Sequence, residues 1–285
     1  MTQILIRQAS QVEFAVALDW ASMEGWNPGL DDLAALYRTD PAGFLMGWKD
    51  GAPVSSISVV RYGSTHGFLG FYIVHPDWRG CGVGITTWNA GMLHLKGRIT
   101  GLDGVVEQQR NYARNGFVFA GRNIRFSGVP VQQEMPEPGI RVRSAVPRDL
   151  ADILTYQRPF FPADRDDFIA RWTVWSTAAS RHTKLAFSNG RMIGFGTIRR
   201  CRSGCKIGPL FAENKVVASA LFTALCKTER EQEISLDVPE GNSAAIEMAE
   251  NFALAPVFQT ARMWRGDLPD TPTGRTFGVA TFELG

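Results

Sequence analysis

The chain has 285 residues, 45% hydrophobic and 20% charged, with no long polar or repetitive tract. That excludes a disordered or fibrous protein and allows two domains of about 140 residues, each able to bury a core. A balance of 30 basic and 28 acidic residues without a basic run argues against a nucleic-acid partner. Cys81, Cys201, Cys205, Cys226 and the scattered histidines match neither a disulfide framework nor metal-ligand spacing, so no metal is expected. With no leader pattern and no run of about 18 apolar residues, a cytoplasmic protein with no membrane partner is expected.

In chain order, Ile4-Leu5-Ile6-Arg7-Gln8-Ala9 alternates as a strand and leads into a helical stretch. Ser22-Met23-Glu24-Gly25-Trp26-Asn27-Pro28-Gly29 then reads as a shaped loop, where functional side chains are often placed. Asp50-Gly51 supplies the positive φ of a tight hairpin turn. Residues 68–74 form a long strand, followed by Val74-His75-Pro76-Asp77-Trp78-Arg79-Gly80-Cys81-Gly82-Val83-Gly84 and a helix. Ile85, Trp88, Met92 and Leu95 fall at helical spacing and predict its buried face. Asn115-Gly116-Phe117 closes a later helix and feeds a strand.

The same landmarks then return. Ile140-Arg141-Val142-Arg143-Ser144-Ala145 echoes the opening strand, Asn189-Gly190 echoes the hairpin, and Phe252-Ala253-Leu254 echoes the helix stop. Between the copies, three prolines in residues 129–139 deny helix and central strand. The expected division is 1–130, a linker at 131–139, and 140–285. The fold class is α+β (mixed α/β), each copy a mostly antiparallel mixed sheet flanked by helices. A closing strand is expected over 276–282.

A strand, a glycine-rich turn and a helix aim backbone N–H groups and a helix dipole at an anion, typically a phosphate. Gly80, Gly82 and Gly84 let the backbone approach a pyrophosphate closely, and Arg79 adds charge. The spacing supplies neither the dinucleotide G-x-G-x-x-G nor a Gly-Lys-Ser/Thr ending, and Asp103 at ribose-carboxylate distance is weak support for a dinucleotide site. Arg79-Gly80-Cys81-Gly82-Val83-Gly84 resembles the Arg/Gln-x-x-Gly-x-Gly/Ala hallmark of the GNAT superfamily of acyl-CoA N-acyltransferases. Tyr112-Ala113-Arg114-Asn115-Gly116-Phe117 resembles its Tyr-x-x-x-Gly-Phe. The likeness is good over residues 3–130. The second copy resembles the fold in outline only: Ile207-Gly208-Pro209-Leu210-Phe211-Ala212-Glu213-Asn214 lacks the loop, and Ala249 stands at the tyrosine position.

The resemblance implies a tandem chain with a degenerate second copy and one acetyl-CoA site. Backbone groups of Ile73 and Val74 and the loop Arg79, Gly80, Cys81, Gly82, Val83, Gly84 would hold acetyl-CoA, with Tyr112 against it as general acid toward sulfur. Strand 68–74 has no carboxylate where many members have a glutamate, leaving Glu24 and Tyr72 as candidates for the proton acceptor. Trp26, Asn27 and Tyr72 are candidates for binding a small-molecule amine, with residues 140–285 walling the acceptor side. Alternatives are a protein or peptide amine, a thiol or hydroxyl acceptor, and an acetyl-CoA sensor without turnover.

Overall fold

The computed structural model describes residues 4–131, 139–176, 178–229 and 231–285, so linker residues 132–138 lie outside the described residues. The first copy runs β1 (Leu5–Gln8), α1 (Gln11–Met23), α2 (Asp32–Thr39), β2 (Phe44–Lys49), β3 (Ala52–Tyr62), β4 (His66–Val74), α3 (Val83–His94), β5 (Ile99–Val105), α4 (Gln109–Arg114) and β6 (Val118–Gly128). The second repeats that order: β7 (Arg141–Ser144), α5 (Leu150–Gln157), α6 (Asp166–Trp172), β8 (Arg181–Ser188), β9 (Arg191–Arg200), β10 (Cys205–Ala212), α7 (Lys215–Cys226), β11 (Ile234–Pro239), α8 (Ser243–Asn251) and β12 (Ala255–Arg265). A short β13 (Thr276–Gly278) follows.

The local signals repeat as well. Both hairpin turns are left-handed at two successive residues, Asp50 and Gly51 (φ 50° and 81°) and Asn189 and Gly190 (φ 48° and 77°). Helices α4 and α8 stop alike: Gly116 and Ala253 have positive φ, Phe117 N–H donates to Tyr112 O and Leu254 N–H donates to Ala249 O.

Two separate sheets were expected; the strands form one, in the order β1-β2-β3-β4-β5-β12-β6-β11-β10-β9-β8-β7. Each copy gives its last long strand to the other. β12 pairs with β5 from Thr260↔Val105 to Arg265↔Thr100, and β6 pairs with β11 from Gly128↔Ile234 to Asn123↔Pro239. Between them β6 and β12 run antiparallel from Ser127↔Ala255 to Val118↔Trp264, so the seam exposes no sheet edge. The expected closing strand is shorter than 276–282: β13 ends at Gly278 after pairing with β10, and the chain then returns to the first copy as a turn.

The cores also cross the seam. Phe14, Phe44 and Phe68 of the first copy share a cluster with Phe161, Trp172 and Leu284 of the second. Beside it Asp32 of α2 is buried under Arg181 (2.8 Å) and Arg199 (3.1 Å) of β8 and β9. The α3 face differs from the expected one at Ile85, which is 54% exposed; Val83, Thr87, Trp88 and Gly91 face the sheet. Gly91 allows this, since a Cβ there would lie 2.9 Å from Ile57 Cδ1. Among the described residues no helix is long and apolar enough to cross a membrane.

Candidate active site

Parallel pairing of β4 with β5 stops at Leu69↔Leu102, although β4 continues to Val74 and β5 to Val105. A bulge turns β4 at this point: Phe71 and Tyr72 stand opposite the single Ile57, Phe71 takes φ 44°, and Ser56 Oγ donates to Phe71 O at 2.8 Å. The strands splay, and the backbone of residues 70–74 on its β5 side lines a cavity of about 370 Å³. Unpaired strand backbone of this kind is a template for an extended ligand.

The loop after β4 closes one end of the cavity. Gly80 and Gly82 have φ of 77° and 82°, and a Cβ on either would meet no protein atom within 4 Å. Gly82 is the N-cap of α3, which has no side-chain cap and no acidic residue in its first turn, so its leading N–H groups and dipole are free for an anion. Gly84 has a packing reason instead: a Cβ there would lie 2.9 Å from the Tyr72 hydroxyl. Arg79 fastens the loop, its Nε donating to Val74 O (3.0 Å) and its Nη2 to Glu24 Oε1.

The equivalent place in the second copy is filled. Parallel pairing of β10 with β11 stops at Ile207↔Leu236, but β13 occupies the opening, with a Cβ at Gly278 only 2.7 Å from Leu236 Cδ1. The start of α7 is satisfied by its own Asn214, whose side chain accepts from Val217 N–H at 3.1 Å. One helix start is capped and the other open, which is the physical difference between the two copies.

Two tyrosines line the open groove, with the buried Trp88 packed against both. Trp88 sits between Tyr72 (5.4 Å) and Tyr112 (5.8 Å, stacked), and the Tyr112 ring lies on the bare Cα of Gly104. Burial pushes both phenols up, Tyr112 strongly and with help from Tyr72, so both stay protonated at neutral pH.

The second copy supplies the opposite wall: Phe258 and Thr260 from β12, and Phe282 and Glu283 from the tail. Arg125 stacks over both rings, 5.6 Å from Phe258 and 5.1 Å from Phe282, while held by Asp237 (2.7 and 2.9 Å). Asp103 also lines the cavity but is committed to structure, accepting from Arg262 (2.7 and 2.6 Å) and Asn123 (2.8 Å) across the exchanged strands.

Of the residues singled out in the sequence, Glu24, Trp26, Tyr72, Ile73, Val74, Arg79, Gly80, Gly84 and Tyr112 line the cavity. Cys81, Gly82 and Val83 do not: Cys81 is exposed, Gly82 begins the helix and Val83 is buried beneath it. Asn27 also lies outside the lining. Its side chain donates to Ser203 O (2.7 Å) and accepts from Ser203 N–H (3.1 Å), tying its loop to the β9–β10 turn. Glu24 is ion-paired with Arg79, which opposes a role as free base. Glu283, Phe258 and Phe282 were missed, because nothing local marks a side chain whose partner strand is some 200 residues away in the chain.

Family models match both halves: the acetyltransferase (GNAT) family over residues 12–117 and an acetyltransferase (GNAT) domain over residues 153–278. A holothin acyltransferase of Pseudoalteromonas sp. (strain SANK 73390) is 30% identical over 280 residues, covering 98% of this chain and 94% of the relative. Among solved structures, a candidate acetyltransferase of Pyrococcus horikoshii superposes with a TM-score of 0.80 at 18% identity, covering 99% of this chain and 96% of its own. A tandem GNAT protein from the clavulanic acid biosynthesis pathway matches with a TM-score of 0.62 at 12% identity, covering 92% of this chain and 98% of its own. With an open glycine loop in one copy, a filled groove in the other, and a homologous acyltransferase along nearly its whole length, the chain belongs to the GNAT acyltransferases as a two-domain member.

Proposed function

We propose that this acyltransferase is an N-acetyltransferase, moving the acetyl group of acetyl-CoA directly to a primary amine of a small molecule in a ternary complex. The observation that carries the reading is the uncapped start of α3 at the end of a splayed strand, opening on a cavity that both copies enclose. The residues present fit the donor. Gly80, Gly82 and the first turn of α3 receive the pyrophosphate, the backbone of β4 beyond its pairing with β5, at Ile73 and Val74, bonds the pantetheine arm, and Arg79 lends charge at the rim.

Beyond the thioester, Trp26, Tyr72, Phe258 and Phe282 form an aromatic wall suited to a small, largely apolar amine. The relative's name gives holothin as its acceptor, and we carry holothin here as one compound to test. Tyr112 donates a hydrogen bond to the departing sulfur, and holding both substrates in line supplies much of the acceleration. The test is CoA-thiol release and product mass with acetyl-CoA, longer acyl-CoAs, and a panel of small amines that includes holothin, peptides and thiols. Acetylation of a small amine is expected. Tight acetyl-CoA binding with no turnover on any acceptor would make the chain a sensor, and turnover confined to peptides or thiols would refute the acceptor class.

A further inference from the structure

We propose that Glu283, carried in by the tail of the second copy, is the catalytic base that takes a proton from the acceptor amine. This rests on the acyl-transfer reading above. Strand β4 contains no acidic residue. Three carboxylates line the cavity among the described residues: Glu24, Asp103 and Glu283. Glu24 is bound to Arg79, and Asp103 is gripped by Arg262 and Asn123. Glu283 enters no ion pair among the described residues, although it is only 8% exposed.

Its position is built. Gly285 N–H closes a turn onto Thr281 O (3.1 Å), Glu283 N–H donates to Thr281 Oγ1 (3.2 Å), and the Thr281 hydroxyl donates to Glu283 Oε2. The turn rests on β4 beside the bulge, at Gly70, where a Cβ would lie 2.7 Å from Glu283 Cα. Only glycine permits this approach, so the bare strand accepts a carboxylate from the other copy in place of one of its own. The charged groups facing Glu283 are Arg125 of β6 and Arg199 of β9, themselves paired with Asp237 and Asp32; Tyr72, Asp103 and Glu24 share the cavity.

An amine between the Phe258–Phe282 wall and the β4 edge meets this carboxylate. An alkylammonium of pKa about 10.4 has no lone pair to attack with, so Glu283 takes one of its protons and passes it to solvent. The nitrogen pair forms the C–N bond. As the tetrahedral centre collapses, the C–S bond breaks and its electron pair goes to sulfur, which takes the Tyr112 proton while the remaining surplus nitrogen proton restores Tyr112. The products are the amide, CoA thiol and one proton in solution.

The test uses the full chain and two acceptors of one shape, an alkylamine and an aniline, the second already neutral at pH 7. Glu283→Gln keeps the side-chain shape and should lower kcat/KM for the alkylamine by about 10²–10⁴-fold at neutral pH. The deficit should shrink as pH rises toward the amine's own pKa, and should be small for the aniline. Acetyl-CoA affinity by calorimetry should be unchanged, and Glu283→Asp should restore part of the alkylamine rate. Equal deficits for both acceptors, or none, would overturn the assignment. If Glu283→Gln does not fold, the Asp variant is compared on the same two acceptors: a larger deficit on the alkylamine supports the base, and equal deficits refute it. Absence of wild-type turnover with every amine would instead defeat the acyl-transfer reading.

Discussion

Tyr112 and Glu24 are both polar residues in the groove, and their surroundings separate them. The Tyr112 phenol is pushed well above its ordinary range by burial first and by Tyr72 second, so on the proposed reading it meets the thioester sulfur protonated. A thiol of ordinary pKa about 8.5 is the stronger acid, so in the proposed reaction the tyrosine holds the developing charge on sulfur by a hydrogen bond and yields its proton only as the surplus nitrogen proton replaces it. Tyr112→Phe is expected to lower kcat by about 10²–10⁴-fold while acetyl-CoA affinity stays within a factor of a few. An unchanged kcat would assign sulfur's proton to water, and a parallel loss of affinity would reduce the ring to its packing against Trp88 and Gly104. Tyr112 was legible in sequence because Tyr-x-x-x-Gly-Phe is a local motif: the tyrosine and the left-handed Gly116 belong to one helix stop. The ion pair that occupies Glu24 was not, since Arg79 lies 55 residues away and meets it only because α1 and the loop end at one place.

Among the elements, α3 and α7 present the same problem with opposite answers. Both follow a bulged strand and pack on the sheet, yet α3 begins at a glycine with no side-chain cap and α7 begins at Asn214, which caps itself. Gly82→Glu would set a carboxylate where the proposed donor's pyrophosphate would lie, and should abolish acetyl-CoA binding by calorimetry while a cooperative melt persists. Asn214→Ala should do the reverse, costing about 1 kcal/mol of stability without moving acetyl-CoA affinity. Retained binding in a folded Gly82→Glu chain would mean the donor lies elsewhere. The open helix start was readable from Arg79-Gly80-Cys81-Gly82-Val83-Gly84, because a helix cap is decided within a few residues. The exposure of Ile85 was not, because spacing alone does not say how closely Gly91 lets the helix settle on Ile57 and Val59.

Exchange of β6 and β12 makes the two copies one continuous sheet, and this was hidden because pairing partners on opposite sides of the chain leave no periodicity or turn signal. Without residues 139–285, β6 loses both neighbours and β5 loses β12, so two long strands would expose hydrogen-bonding edges to solvent. Residues 1–131 alone are therefore expected to aggregate or remain unfolded. A chain cut between residues 131 and 139 should behave differently, because β5–β12, β6–β12 and β6–β11 hold the pieces together without the covalent link. Made together, the fragments should elute as a one-to-one complex, melt in a single transition and match the intact chain in the proposed acetyl transfer. Acid should then part them in a defined window. Burial raises the Asp32 carboxyl, but Arg199 and Arg181 of the other copy outweigh it and hold its pKa down to about 2 in the folded state. A depressed carboxyl contributes its stability fully above the ordinary value near 4 and loses it as pH falls toward 2. The fragments should thus stay joined at pH 6 and separate progressively below about 4. Asp32→Asn leaves the buried Arg199 guanidinium without its carboxylate and Arg181 with Asp31 alone, costs about 3–5 kcal/mol, and should weaken the complex already at neutral pH. Size-exclusion chromatography with light scattering reads both outcomes. Independently folded, non-associating halves would show that each copy can complete its own sheet, and the exchanged strands would then not be what joins them.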